Sequence, residues 1–230
     1  MTRLILASQS PSRRKVLDQA GLAFEVQVSS VDESAVVGGA SAEAELGAAE
    51  TALLLARAKA EAVAALPAAR DALVLGCDSV FALDGVTYGK PYHTEVAVER
   101  WQQMRGRTGT LHTGHWLVDA GTAATTAEHS WLGAGAMATG PLGVPENTLA
   151  SAGETVSSQV TFAEPTDEQI RAYAESGEAL HCAGAFTLEG RGAAFITAVE
   201  GDPNAVIGLS PAALNRLLSE FGRSITEFWT

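Results

Sequence analysis

The spacing of apolar and polar positions changes several times along the chain, and each change marks an element. Residues 3–8, RLILAS, form an apolar run that predicts a short buried strand. Ser10 and Pro11 then supply an N-cap and a first-turn proline. Val16, Leu17 and Ala20 make an apolar stripe closed by Gly21, so the chain opens strand, loop, helix. FEVQVS at 24–29 alternates like a second strand, and the Ala-, Leu-, Glu- and Arg-rich stretch 42–65 predicts a long helix. Residues 73–83, LVLGCDSVFAL, read as an apolar strand interrupted by Asp78. Asp84-Gly85 is a two-residue hairpin turn from which VTYGK returns. Residues 95–105 read as a helix capped by Thr94 and stopped by Gly106, and 110–118, TLHTGHWLV, as a strand. Gly, Ala, Thr and Ser then dominate, with Pro141 and Pro145, so residues 121–155 predict a flexible insertion or long loop. A strand resumes at 157–163, and Thr166 with Gln169 forms a capping box for a helix ending near Gly177. Two short strands are expected within 183–200, around Gly190 and Gly192. Ser210 and Pro211 open a final helix whose stripe is Leu214, Leu217, Leu218 and Phe221. Strands and helices alternate, which predicts an α/β fold with a mixed twisted sheet and flanking helices. One domain is expected over residues 1–230, without an internal repeat.

Composition narrows the function. A 47% hydrophobic fraction suffices for a sizeable core and excludes intrinsic disorder. A net charge of −12 argues against a general nucleic-acid binder, which needs a basic footprint. No run approaches the roughly 18 apolar residues of a membrane span. The opening MTRLILASQSPSRRK lacks the long apolar core of a signal peptide. Two cysteines, Cys77 and Cys182, do not make a disulfide scaffold, so a cytoplasmic location is expected. Only three of the 15 basic residues are lysines: Lys15, Lys59 and Lys90. In an alanine-rich chain so poor in lysine, those that persist direct attention to themselves.

Four places carry candidate chemistry. Arg3, Arg13, Arg14 and Lys15 concentrate positive charge in the first fifteen residues, with Ser8, Ser10 and a helix start as donors. That suits a polyphosphate, though a capped surface helix with solvated arginines fits the same pattern. Asp78 breaks an apolar strand, and a buried carboxylate needs a partner, a metal or a reactive role; an edge-strand aspartate facing water is the alternative. Lys90 lies on the return strand, where a strict two-residue hairpin sets it on the face opposite Asp78 unless Gly89 bulges. Lys59 projects from the apolar stripe of Leu55 and Ala62, or snorkels from the helix edge. Glu33 follows the second strand and by itself reads as an ordinary loop acid. The GAGAMA at 133–138 has no strand before it and is no dinucleotide fingerprint. His112 and His115, three apart in a strand, face opposite sides and share no metal.

In order, LILASQSPSRRKVL, ARAKAEAV, LGCDSVFALDGVTYGKP, GRTGTLHTGHWLV and CAGAFTLEGRGAAFITAVEGDPNAVIGLS resemble the Maf (septum formation protein) family. These are nucleoside triphosphate pyrophosphatases related to the inosine-triphosphatase fold, which implies two lobes around a central cleft. The resemblance covers nearly the whole chain outside about 121–155. It implies a phosphate-binding loop at Ser8 and Arg13, helped by Arg14, with Ser12 standing where the family has the first arginine of a pair. It implies a catalytic base at Asp78, phosphate-neutralising lysines at Lys59 and Lys90, and a substrate contact at Ser79. Glu33 and Asp78 would hold Mg²⁺ or Mn²⁺. Cys182 and Glu189 depart from the dTTP- and UTP-hydrolysing branch, which has lysine and glutamine there, and look closer to the branch associated with 7-methyl-GTP. A carboxylate at 189 accepts from both N1–H and the 2-amino group of guanine. The expected reaction converts a nucleoside triphosphate to the monophosphate and pyrophosphate, with no nucleic-acid or membrane partner and a homodimer as the family's usual assembly. The alternatives are a nucleotide-binding regulator of cell division with little turnover, and a binding module for phosphorylated metabolites.

Overall fold

The computed structural model describes residues 2–42, 45–123 and 149–230. Among them, seven strands form one mixed sheet. β1 (Arg3–Leu6) leads into α1 (Pro11–Gln19), whose N-cap Ser10 accepts from the Arg13 amide. The expected second strand shrinks to β2 (Glu25–Val26), because only Ile5 and Leu6 of β1 reach it. The helix expected over 42–65 forms over a shorter span, and a separate helix precedes it. α2 (Glu33–Ser41) starts on the Asp32 side-chain cap, and α3 (Ala48–Ala64) follows. Glu33 is therefore the first residue of a helix rather than a loop acid.

β3 (Ala72–Leu83) is the central strand. It turns through Asp84 and Gly85, both at positive φ (50° and 78°), into β4 (Val86–Tyr88). That pair of left-handed residues is what a type I′ hairpin demands. α4 (Thr94–Met104) begins one residue earlier than expected, with His93 at the N-cap and no side-chain cap from Thr94. β5 (Thr108–Ala123) and β6 (Leu149–Phe162) pair antiparallel over most of their lengths. Residues 121–123 and 149–155 are thus strand, not insertion; small residues are accepted there because a paired backbone, not side-chain bulk, defines the ladder. The rest of the expected insertion, 124–148, lies outside the described residues, as does the GAGAMA segment. α5 (Asp167–Glu175) carries the complete capping box of Thr166 and Gln169. The two strands expected in 183–200 reduce to one, β7 (Ile196–Glu200), preceded by 3-10 turns at 183–185 and 190–195. α6 (Pro203–Ile207) and α7 (Pro211–Glu220) close the order, with Ser210 capping α7.

The sheet runs β2-β1-β3-β5-β6-β7, with β4 added on β3. One face of the first half packs Leu4, Leu6, Leu73, Leu75 and Cys77 against α1 and α7. The other face packs Ile5, Val74, Trp116 and Val118 against α3. At the far end Phe81, Trp101, Phe162 and Phe186 gather a second core with α4 and α5. The rings there meet edge to face, as their quadrupoles favour.

The site follows from how β3 is shared. On one edge β3 pairs with β5 from Leu73 to Ala82. On the other edge β1 stops at Leu75 and β4 starts only at Phe81. Residues 76–80 therefore face an open edge between two lobes, just beyond the carboxyl end of a parallel strand. Such a break in strand order is where open α/β sheets bind ligands.

Candidate active site

Asp78 and Ser79 occupy that open stretch and point to opposite faces of the sheet. Asp78 faces α3. Its Oδ1 accepts from Lys59 Nζ at 2.5 Å, and the same ammonium lies 2.6 Å from Glu33 Oε1. Lys59 and Asp78 are both 7% exposed, so this is a buried pair and not a snorkelling lysine. Two glycines make the contact possible. A Cβ at Gly76 would fall 2.1 Å from the Ala56 carbonyl, and one at Gly114 would fall 2.4 Å from that of Ala52. Their absence lets α3 lie directly on β3 and β5, within reach of Asp78. Burial pushes the Glu33 carboxyl up, but the Lys59 hydrogen bond and charge, with Lys90 and Arg13 behind them, outweigh it. The group sits below the ordinary carboxylate value.

Ser79 faces α1 and α6. The Arg13 guanidinium spans this side: Nη1 donates to Ser8 Oγ at 3.1 Å, Nη2 to Ser79 Oγ at 3.4 Å, and Nε to the Gly208 carbonyl at 2.8 Å. Ser79 in turn lies 2.9 Å from Thr113 Oγ1. Cys77, one residue before Asp78, is fully buried; burial first, and the Asp78 charge with it, pushes its thiol up to about 12. It is an inert core residue.

Of the positive cluster expected at the N-terminus, only part reaches the cleft. Arg3 turns away to Glu25 and to the carbonyls of Ala68 and Arg70. Arg14 donates to the Gln9 carbonyl at 3.4 Å. Lys15 is exposed on α1, yet its ammonium lies 2.7 Å from Glu189 and so joins α1 to the 186–190 loop. Lys90 needs no bulge. β4 ends at Tyr88, and the Gly89 carbonyl accepts from the Gly184 amide and from Arg100, so the chain has left the ladder before Lys90. Lys90 is half-buried, and its charge acts on both Glu33 and Cys182, which places it on the cleft's second lobe.

Thr113, Gly208 and His115 were not among the sequence candidates. His115 is fully buried on β5, and its Nε2 accepts the Ser210 amide at 2.8 Å. Burial, with the Arg13 charge second, pushes it down to about 3, so the ring is neutral. The alternation of β5 could have placed both residues on the inner face; what they hold appears only in three dimensions.

The donor set suits a hard divalent cation in one respect. Glu33 and Asp78 already converge on a single positive charge, and carboxylate oxygens are what Mg²⁺ and Mn²⁺ take. Among the described residues no group of three His, Cys, Asp or Glu could hold a metal alone, so an ion there would complete its shell with water or substrate oxygens. Nor is any described helix long and apolar enough to cross a membrane.

A family model described as "Maf-like protein" matches residues 3–221. The chain is 50% identical over 227 residues to the nucleoside triphosphate pyrophosphatase of Streptomyces coelicolor, covering 99% of this chain and 94% of that protein. It is 48% identical over 228 residues to the protein of the same name from Streptomyces avermitilis, covering 99% and 95%. To that of Thermosynechococcus vestitus it is 42% identical over 227 residues, covering 99% and 98%. With a motif order, a β3-centred cleft and relatives aligned end to end in agreement, the chain belongs to the Maf-like protein family.

Proposed function

We propose that the chain hydrolyses nucleoside triphosphates between the α- and β-phosphates, releasing the nucleoside monophosphate and pyrophosphate. The name shared by its relatives supports the reaction class. One observation carries the assignment of parts. Around the open edge of β3, two carboxylates, Asp78 and Glu33, stand among three cations supplied by α1, α3 and the segment after β4, which are Arg13, Lys59 and Lys90. Phosphoryl transfer asks the protein mainly for positioning and charge neutralisation, and this arrangement offers both.

Arg13, held by Ser8, Gly208 and Ser79, presents its remaining N–H groups to phosphate oxygens in a planar fork. Lys59 transfers its ammonium from Asp78 to the triphosphate as the substrate enters, since phosphate oxygens carry more negative charge than one carboxylate. Asp78, so released, accepts a hydrogen bond from water and takes its proton as the oxygen attacks phosphorus. The bond from that phosphorus to the bridging oxygen breaks, and pyrophosphate departs with the electron pair. Lys90 neutralises charge on the departing group from the second lobe. Glu33 and Asp78 would hold Mg²⁺ or Mn²⁺ together with phosphate oxygens; when bound, the ion adds charge neutralisation that a protein of net −12 needs towards an anionic substrate. Glu189, an acceptor-only side chain on the 186–190 loop, favours a base edge rich in N–H donors.

The test is pyrophosphate release across a panel of canonical and modified nucleoside triphosphates, with divalent metal present and chelated. The parent turns over at least one of them, and Asp78→Asn lowers kcat by roughly a thousandfold while the protein stays folded. Turnover by Asp78→Asn close to the parent's removes Asp78 from the reaction. Tight nucleotide binding with negligible release by the parent replaces the enzyme with a sensor.

A further inference from the structure

Two residues of β5 that no catalytic assignment uses hold the turn between α6 and α7. Thr113 and His115 are both fully buried and lie two apart on one face of the strand. The hydroxyl of Thr113 donates to the Ala205 carbonyl at 2.7 Å, at the centre of α6. Its single proton is then spent, so in the 2.9 Å contact with Ser79 the serine donates. Ser79 keeps its lone pairs for Arg13 Nη2. Five residues after Ala205, the Ser210 amide donates to His115 Nε2, which fixes the ring proton on Nδ1. Between these two fastenings stands Gly208, at φ 127° in the region that favours glycine. A Cβ there would approach Arg13 Nε to 3.2 Å, so the backbone itself lies against the guanidinium, and its carbonyl receives Nε.

We infer that His115 is a positioning residue for Arg13: through the Ser210 amide it fixes the turn whose Gly208 carbonyl aims the guanidinium into the cleft. The inference rests on the reading of Arg13 as the phosphate-facing cation. A neutral ring is required, because a proton on Nε2 would oppose the Ser210 N–H. Thr113 holds α6, the helix that leads into the same turn, and orders Ser79, so Arg13 is oriented from two directions by one strand face. A second attachment of α7 separates this role from simple anchoring. Arg216 on α7 binds Glu154 on β6 through two contacts, 2.5 and 3.1 Å, and neither contact involves residues 205–210.

Three variants test the inference. His115→Val leaves the Ser210 amide buried and unpaired; it raises KM for the preferred nucleotide, and the Kd for pyrophosphate, roughly tenfold with a smaller change in kcat. His115→Gln, which returns an acceptor near the Nε2 position, restores both. Arg216→Gln lowers Tm and leaves KM at the parent's value. The proton on Arg13 Nε, followed by NMR, exchanges slowly in the parent and in His115→Gln and quickly in His115→Val. That readout does not depend on turnover, so an inactive parent would unseat the functional reading while the exchange rates still judge the positioning. In an Arg13→Gln background His115→Val adds no further loss. Additive losses, or an unchanged Arg13 Nε exchange rate in His115→Val, overturn the inference and leave His115 a core residue.

Discussion

Lys59 and Lys15 each hold a glutamate, in two regions of very different depth. The Lys59 side chain is 9% exposed and lies between Glu33 and Asp78, both within 2.6 Å. The Lys15 side chain is 57% exposed and meets Glu189 alone, at 2.7 Å. The distances are nearly the same, so distance does not distinguish the two. Burial does. In the first region water cannot substitute for Lys59 at Asp78, and removing the cation strands that carboxylate in a low-dielectric site, whereas Glu33, with 42% of its side chain exposed, keeps its contact with solvent. In the second, solvent screens the attraction and replaces either partner at little cost. A short contact is therefore evidence of function only where the surroundings make the charge expensive.

The largest break comes from removing the buried cation. Lys59→Met abolishes pyrophosphate release and lowers stability at neutral pH by about 3 kcal/mol, the usual penalty for breaking a buried pair from one side. Lys59→Arg regains most of the stability but not the activity, because a planar guanidinium does not reproduce a compact ammonium between two carboxylates. Chemical denaturation and the nucleotide assay on the same samples separate these outcomes. If Lys59→Arg matches the parent in kcat, the lysine is only a counter-ion.

A smaller break acts from a distance. Gly76→Ala forces a methyl group into the backbone of α3 at Ala56, and something must shift. Overpacking of this kind costs about 1–3 kcal/mol. The added consequence here is that α3 lifts Lys59 from Asp78, so kcat falls although no charged group has changed. An equal loss of stability with intact kcat would show that Lys59 reaches Asp78 without close helix contact.

Acid distinguishes the regions by titration. Glu33 is held below its ordinary value, so the folded state binds its proton less readily than the unfolded chain. That contribution to stability is complete above the unfolded carboxylate value and is lost as pH falls through the lowered folded value. His115 acts in a higher window with the same sign: its folded value is about 3, against about 6.5 unfolded. Between those values the unfolded chain binds the extra proton, so stability rises with pH by about 1.4 kcal/mol per unit from this group. Denaturation from pH 4 to 7 shows that slope in the parent and a shallower one in His115→Gln.

How much of this could be read from the chain depends on where each signal lies. Asp78 and Lys59 are charges set in apolar runs, a local contradiction visible without a structure. The Asp84-Gly85 turn and the caps at Ser10, Thr166 and Ser210 are equally local. Glu33 was not legible as a site residue from its own surroundings, because α2 buries none of its residues and gives almost no periodic signal. Gly76 and Gly114 look like weak points of strands until α3 is seen against them. His115 sits in an alternating strand whose other histidine, His112, pairs outside with Ser157. Nothing near it in sequence names Ser210 as its partner. The Gly-, Ala- and Ser-rich stretch hid the ends of β5 and β6, where a long backbone ladder replaces side-chain pattern. What was missed is consistently a contact between segments distant in sequence.

The gentlest test concerns Lys15, whose charge belongs to the N-terminal positive cluster but is directed to Glu189. If exposure governs, Lys15→Gln shifts stability by less than about 1 kcal/mol, and raising salt reduces even that difference. Its kcat stays at the parent value, since Lys15 touches neither Asp78 nor Arg13 in the described contacts. Any effect belongs in KM and in the preference among bases, because freeing the Glu189 carboxylate changes what the 186–190 loop offers to a nucleotide. A loss of stability approaching that of Lys59→Met would mean that the pair ties the two lobes together despite its exposure. Depth would then no longer decide which lysine matters, and the closure of the cleft would have to be credited to a surface contact.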